Sequence, residues 1–192
     1  MQDNYFIVDI ETVPNDLDKY LSLEEDKRTE LLNSIDSKIW AIGIRYKEFN
    51  KLFYGNDEKD ILERFWDEMA SIMEGKPLMN IVGFNITNFD IPFIISRSFI
   101  NNIKIRPFSL KQVIDLRDKI NAYRYGKTRG KLKEYAKLIG LNILDIDGKD
   151  VALLYKNNEM EKLKDYLSND LFITDEILKR TIYTGIINIS KW

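Results

Sequence analysis

A chain of 192 residues, 44% hydrophobic and 31% charged, fits one globular domain over residues 1–192, able to bury about two-thirds of its unfolded surface. Its 29 basic and 31 acidic residues leave a net charge of −2, which does not advertise a nucleic-acid partner, although a local basic patch can still serve one. With no His and no Cys, a disulfide, a zinc site on His or Cys ligands and any His-based triad are excluded. A metal held by the remaining polar residues would be a hard one, Mg²⁺ or Mn²⁺, on oxygen ligands.

The first four residues show no basic region followed by an apolar one, and no apolar run approaches the about 18 residues of a membrane span. A soluble, cytoplasmic protein without a membrane partner is expected. Tyr5-Phe6-Ile7-Val8 reads as a strand buried on both faces, followed by Asp9-Ile10-Glu11-Thr12. Side chains alternate along a strand, so Asp9 and Glu11 point the same way, their Cα atoms roughly 6.5 Å apart. Two acids that close repel each other and are costly to desolvate, and a divalent cation between them removes both problems. Taken alone, the pair reads more simply as a strand end that has reached water.

Val13-Pro14-Asn15 breaks the strand, and a polar stretch follows to Asp36. Within it Ser22-Leu23-Glu24-Glu25 reads as a capping box, with Ser22 as N-cap of a short charged helix to Leu32. This insert is either a rim over the acids or a solvated connection. Residues 38–46 and 49–54 read as strands, and the short link at Lys47-Glu48 predicts an antiparallel hairpin. Asn56-Asp57 caps a helix whose Ile61, Leu62, Phe65, Trp66, Met69, Ile72 and Met73 form an apolar stripe suited to the core. Residues 78–84 read as a strand parallel to the first, if that helix is a crossover. A helix over 88–101 carries Pro92 in its first turn, where the missing N–H costs nothing. A short strand over 112–116 and helices over 116–123, 131–139, 149–155 and 159–181 complete the chain. The apolar tail from Ile182 to Trp192 suits core or interface. The fold class is α/β: a mixed five-stranded sheet, three antiparallel strands and then parallel crossovers, flanked by helices.

Two further acids stand out. Asp90 closes the run Asn85-Ile86-Thr87-Asn88-Phe89-Asp90, at a strand-to-helix turn where open α/β sheets place their sites; alone it reads as a first-turn helix acid. Asp170 lies four residues after Tyr166 in the last helix, on a face shared with Leu163 and Ile177, so it is expected to be partly buried. Alone it is a boundary acid beside a Tyr. Asp115 also ends a strand and is taken as structural.

In this order and at these separations, the motifs resemble the DEDD superfamily of 3′-5′ exonucleases, in the subgroup with a catalytic Tyr. The chain looks like stand-alone relatives of the proofreading domain of family B DNA polymerases. The likeness includes the Asp-Ile-Glu-Thr-Val-Pro start, the Lys131-Leu132-Lys133-Glu134-Tyr135 helix and the helix beginning at Tyr166. The subgroup with a catalytic His is ruled out, because Asp165 stands where that His would be. The resemblance implies an RNase H-like fold and catalytic residues Asp9, Glu11, Asp90, Tyr166 and Asp170. The four acids would be ligands of two Mg²⁺ or Mn²⁺ ions, with Tyr166 orienting the attacking water. It also places Thr12, Asn85 and Phe89 along the terminal nucleotides, Phe89 by stacking or apolar contact.

The stretch Arg124-Tyr125-Gly126-Lys127-Thr128-Arg129-Gly130-Lys131 offers Arg124, Lys127 and Arg129 for phosphates, or is a solvated loop. The expected substrate is the 3′ end of single-stranded DNA or, less favoured, RNA, with release of nucleoside monophosphates. A role in DNA repair or proofreading would require a polymerase or repair complex as a separate partner. The competing readings are a non-catalytic nucleic-acid-binding module and a metal-dependent endonuclease on the same fold.

Overall fold

The computed structural model describes residues 4–124 and 130–190. A five-stranded sheet in the order β3-β2-β1-β4-β5 carries the fold. Its strands are β1 (Tyr5–Pro14), β2 (Ser37–Tyr46), β3 (Phe49–Tyr54), β4 (Asn80–Gly83) and β5 (Val113–Asp115). β1, β2 and β3 pair antiparallel, whereas β4 and β5 run parallel to β1, which is the mixed sheet expected. The turn between β2 and β3 holds Lys47 and Glu48 at φ 48° and 70°, the two left-handed residues of the tight hairpin turn that matches strand twist.

Among the described residues eight α-helices flank the sheet: α1 (Leu17–Ser22), α2 (Glu25–Arg28), α3 (Glu58–Met73), α4 (Asp90–Ile100), α5 (Leu116–Ile120), α6 (Leu132–Leu138), α7 (Val151–Lys156) and α8 (Met160–Tyr183). The predicted stripe of α3 does face the core: Phe65, Trp66 and Met69 join Phe6, Val8 and Ile10 of β1 on one face of the sheet, together with α4. The other face packs Ile7, Val13 and Val82 against Leu163, Leu167 and Leu171 of α8. Asp9 and Glu11 continue the Ile7 row, so they point to the α8 side.

Two details bring α8 close to β1. Gly43 sits opposite Asp9, and a Cβ there would lie 2.6 Å from Leu171 Cδ1 and 3.2 Å from Leu167 Cγ. Only hydrogen fits between strand and helix at that point. The register also slips between Glu11 and Thr12, pairing them with Ala41 and Ile39 and leaving Trp40 as the extra residue.

Some local expectations need correction. Ser22 is not an N-cap. It is the last residue of α1, whose cap is Asp16, which accepts a hydrogen bond from Lys19 N at 2.9 Å. Glu24 precedes α2 with no side-chain cap, so the serine–glutamate spacing formed no capping box. The helix after β5 stops at Ile120 rather than near 123, because Ala122 and Tyr123 turn left-handed at φ 49° and 56°. β4 is shorter than the 78–84 expected: a turn closed by Met79 N donating to Lys76 O occupies its start, and Asn85 is left-handed at φ 64° just past its end. In the tail, Ile187 is buried and Tyr183 is exposed. No helix among the described residues is long and apolar enough to cross a membrane.

Candidate active site

β1 outruns its neighbour. It pairs with β4 only from Tyr5 to Ile7, while its pairing with β2 continues to Pro14. Past Ile7 the β4-side edge is open, and a cleft of about 220 Å³ occupies that space. Its lining includes Asp9, Glu11, Thr12, Asn85, Phe89, Asp90, Tyr166 and Asp170. Eight of the eleven residues singled out from the sequence thus meet in one place, from three distant segments.

Carboxylate oxygens of Asp9, Glu11 and Asp170 lie within 4.8 Å of one another. Asp90 is not in that group, but it lies against it. With β4 ended, the N–H of Ile10 has no strand to pair with and donates instead to Asp90 Oδ1 at 3.1 Å. Asp90 and Asp170 are 3% and 6% exposed, and Glu11 is 7% exposed.

Burial, and then the charges of Asp90, Glu11 and Asp170, push the Asp9 carboxyl well above the usual carboxylate range. Burial, followed by Asp170 and Asp90, does the same to Glu11. Asp90 is pushed up to about 7 by burial, partly opposed by backbone N–H groups including that of Ile10. Asp170 is raised to about 6 by burial, against the pull of Lys133 and the Tyr166 hydroxyl. Tyr166 is 7% exposed, and burial followed by the charges of Glu11, Asp170 and Asp9 holds its hydroxyl above the ordinary phenol range. It is therefore a neutral hydrogen-bonding group at working pH, not a base.

Other buried acids of the molecule behave differently. Asp175, one and a half turns along α8, accepts from Tyr5 Oη at 2.9 Å and Arg45 Nε at 3.1 Å, and lies 3.1 Å from Lys179 Nζ. Glu58 accepts from Ile39 N at 2.7 Å and Arg97 Nε at 2.9 Å. Asp170 Oδ1, by contrast, is buried with no hydrogen-bond partner among the described residues. A buried acid cluster left partly unpaired fits a hard divalent cation, whose charge would lower all four raised carboxyls at once. The donor set, all carboxylate oxygen, agrees with Mg²⁺ or Mn²⁺ chemistry.

In the sequence Lys133 carries no signal beyond the Lys131-Leu132-Lys133-Glu134-Tyr135 motif it belongs to. In the structure its Nζ stands 4.5 Å over the Tyr166 ring and is held by the carbonyls of Leu144, at 3.0 Å, and Ile146. It is the cation that opposes the raised carboxyls of Glu11 and Asp170. Its signal was weak, because a Lys in a charged helix ordinarily points to solvent. The insert after β1 does reach the site: Leu32 lines the cleft. A second cleft of about 340 Å³ adjoins it, lined by Arg28, Lys131, Lys133 and Lys149. Arg124 is exposed and does not line the acid cleft. Lys127 and Arg129 lie outside the described residues.

Residues 38–182 match the family described as "Predicted 3′-5′ exonuclease related to the exonuclease domain of PolB". An uncharacterized protein of Methanocaldococcus jannaschii is 30% identical over 176 residues, covering 84% of this chain and 96% of that protein. The family B DNA polymerase of the hyperthermophilic archaeon Pyrobaculum calidifontis superimposes with a TM-score of 0.71 over 95% of this chain at 14% identity, a likeness of fold, RNase H-like in architecture. This chain spans 25% of that polymerase. By the match over residues 38–182, the chain belongs to the family of 3′-5′ exonucleases related to the exonuclease domain of PolB.

Proposed function

We propose that this protein is a metal-dependent exonuclease that hydrolyses the last phosphodiester at the 3′ end of single-stranded nucleic acid, DNA by preference. The observation that carries this reading is the Asp9, Glu11 and Asp170 oxygen cluster, with Asp90 against it, in a cleft also lined by Asn85, Phe89 and Tyr166. The preference for DNA rests on the fold shared with a DNA polymerase.

In hydrolysis, water adds to the phosphorus, the bond to the 3′ oxygen of the preceding nucleotide breaks, and that oxygen takes a proton. The products are a nucleoside 5′-monophosphate and a shortened strand with a free 3′ hydroxyl. Asp9, Glu11, Asp90 and Asp170 would hold Mg²⁺ or Mn²⁺, which when bound supplies an acidified water and neutralises charge on the phosphate. Tyr166 orients the water by hydrogen bonding. Lys133 holds the Tyr166 ring and tempers the charge of Glu11 and Asp170. Phe89 offers its ring to the terminal base, and Thr12 and Asn85 offer polar contacts beside it.

The test uses end-labelled single-stranded DNA and RNA with Mg²⁺, Mn²⁺ or EDTA. Stepwise shortening from the 3′ end, lost in EDTA, supports the reading. Internal cuts alone point to an endonuclease, and binding without cleavage to a non-catalytic module.

A further inference from the structure

Asp115 is a third kind of buried acid. It closes β5, is 4% exposed and does not line the acid cleft. Its two oxygens gather donors from two segments. Oδ1 accepts from the backbone N–H of Asn85 at 2.9 Å and of Arg117 at 2.9 Å. Oδ2 accepts from Thr87 N at 3.0 Å and Thr87 Oγ1 at 2.7 Å. The carboxylate thus clips the loop after β4 to the start of α5, from behind the cleft.

The clipped loop is conformationally unusual. Asn85 is left-handed at φ 64°, a conformation that Asn tolerates better than most residues but that needs support to persist. Its side chain is held as well: Asn85 Oδ1 accepts from Arg117 Nη1 at 3.1 Å and Asn88 Nδ2 at 3.3 Å. With the carbonyl oxygen occupied by protein donors, the amide Nδ2 is the end left to donate to a ligand. Asn85 lines the acid cleft.

We propose that Asp115 is a positioning residue for nucleic-acid binding: it holds the loop so that Asn85 presents its amide donor to the sugar–phosphate of a single strand in the cleft. This rests on the exonuclease reading. It assigns Asp115 a part in affinity, with no part in bond breaking.

The experiment is a double-mutant cycle on Asp115 and Asn85. Asp115→Asn keeps the size and the Oδ1 acceptor but sets an amide where Thr87 needs an acceptor. Asn85→Gly removes the amide at a φ that glycine adopts freely. KM and kcat are measured on a single-stranded oligonucleotide, and Kd by fluorescence anisotropy in Ca²⁺, where turnover is suppressed. Each single change is expected to raise KM and Kd about tenfold, the worth of one good hydrogen bond, with kcat within about threefold. The double variant is expected to bind no worse than the weaker single. Multiplied effects in the double variant, or a fall in kcat at unchanged KM, overturn the proposal. Thr87→Val, which removes only the hydroxyl, supplies the same cycle if Asp115→Asn does not fold; a Thr87→Val effect that disappears in the Asn85→Gly background supports the proposal, and one that persists there undiminished overturns it. A wild-type protein that neither cleaves nor binds the oligonucleotide overturns the exonuclease reading itself, whereas binding with multiplied variants overturns this inference alone.

Discussion

The N–H of Ile10 and the carboxylate of Asp90 meet at 3.1 Å, across 80 residues of chain, at the point where β1 outruns β4. This bond separates the four acids into two kinds. Asp9, Glu11 and Asp170 crowd one another, whereas Asp90 also satisfies a buried backbone donor. Asp9→Asn and Asp170→Asn should therefore abolish cleavage while the melting temperature in EDTA holds or rises, because mutual repulsion is relieved. Asp90→Ala should abolish cleavage and also lower the melting temperature, since an unpaired buried N–H costs about 1–3 kcal/mol. Asp90→Asn keeps an acceptor and should melt near wild type. Thermal melting in EDTA beside the cleavage assay checks all four, and equal melting of the two Asp90 variants would break the argument.

Metal-free stability should fall as pH rises. Asp90 and Asp170 have folded pKa values raised to about 7 and about 6, against an ordinary value near 3.8. Between about pH 4 and 7 the unfolded chain has lost these protons and the folded one still holds them. Stability therefore declines with each unit of pH through that window and levels off above it. Melting in EDTA should be several degrees lower at pH 8 than at pH 5. Saturating Mn²⁺ or Mg²⁺ should flatten the trend at neutral pH and above. A metal-free profile that rises from pH 5 to 8 would contradict it.

Tyr166→Phe removes only a hydroxyl and keeps a buried ring that packs beside Leu163. The raised phenol pKa makes proton abstraction a poor role for it, so its part is orientation. A loss of about 10- to 100-fold in kcat is expected, at or below the low end for positioned proton-transfer groups, with little change in metal affinity or melting temperature. Single-turnover rates at saturating metal give the answer; wild-type rates would make Tyr166 a core aromatic only.

Lys133→Met keeps the stem of the side chain and removes its charge. The acids then lose the nearby cation that opposes the raised pKa of Glu11 and Asp170. The metal-free protein should melt lower at pH 8 than wild type and converge with it near pH 5, where the acids are protonated. Cleavage should fall by about tenfold or more as Tyr166 loses the ammonium over its ring. Parallel melting curves at both pH values would show that Lys133 is electrostatically idle.

Gly43→Ala tests how the last acid is delivered. A methyl group there would meet Leu171 at 2.6 Å and force α8 outward. Overpacking of this kind costs about 1–3 kcal/mol. Because Asp170 rides on the same helix, cleavage should fall more than stability alone explains. Full activity in a destabilised but folded variant would show that α8 has slack at this point.

Much of this was legible in the sequence. Alternation along β1 put Asp9 and Glu11 on one side, and the heptad-like stripe of α3 and the hairpin at Lys47-Glu48 followed from local pattern and turn length. The absence of His and Cys limited any metal site to oxygen ligands. Those are properties of neighbouring residues, and the chain states them directly. Local pattern does not settle the role of Ser22, because serine followed three residues later by glutamate fits the end of one helix and the start of the next equally well. Tertiary structure alone decided the rest. It showed that β1 outruns β4 and so opens a cleft where its acids stand. It showed that Gly43 admits α8 close enough to deliver Asp170, and that Lys133 turns inward onto Tyr166. It also showed that Asp115 grips a loop 30 residues away. Each of these depends on groups far apart in the chain meeting at atomic distance, and spacing along a sequence carries no measure of that.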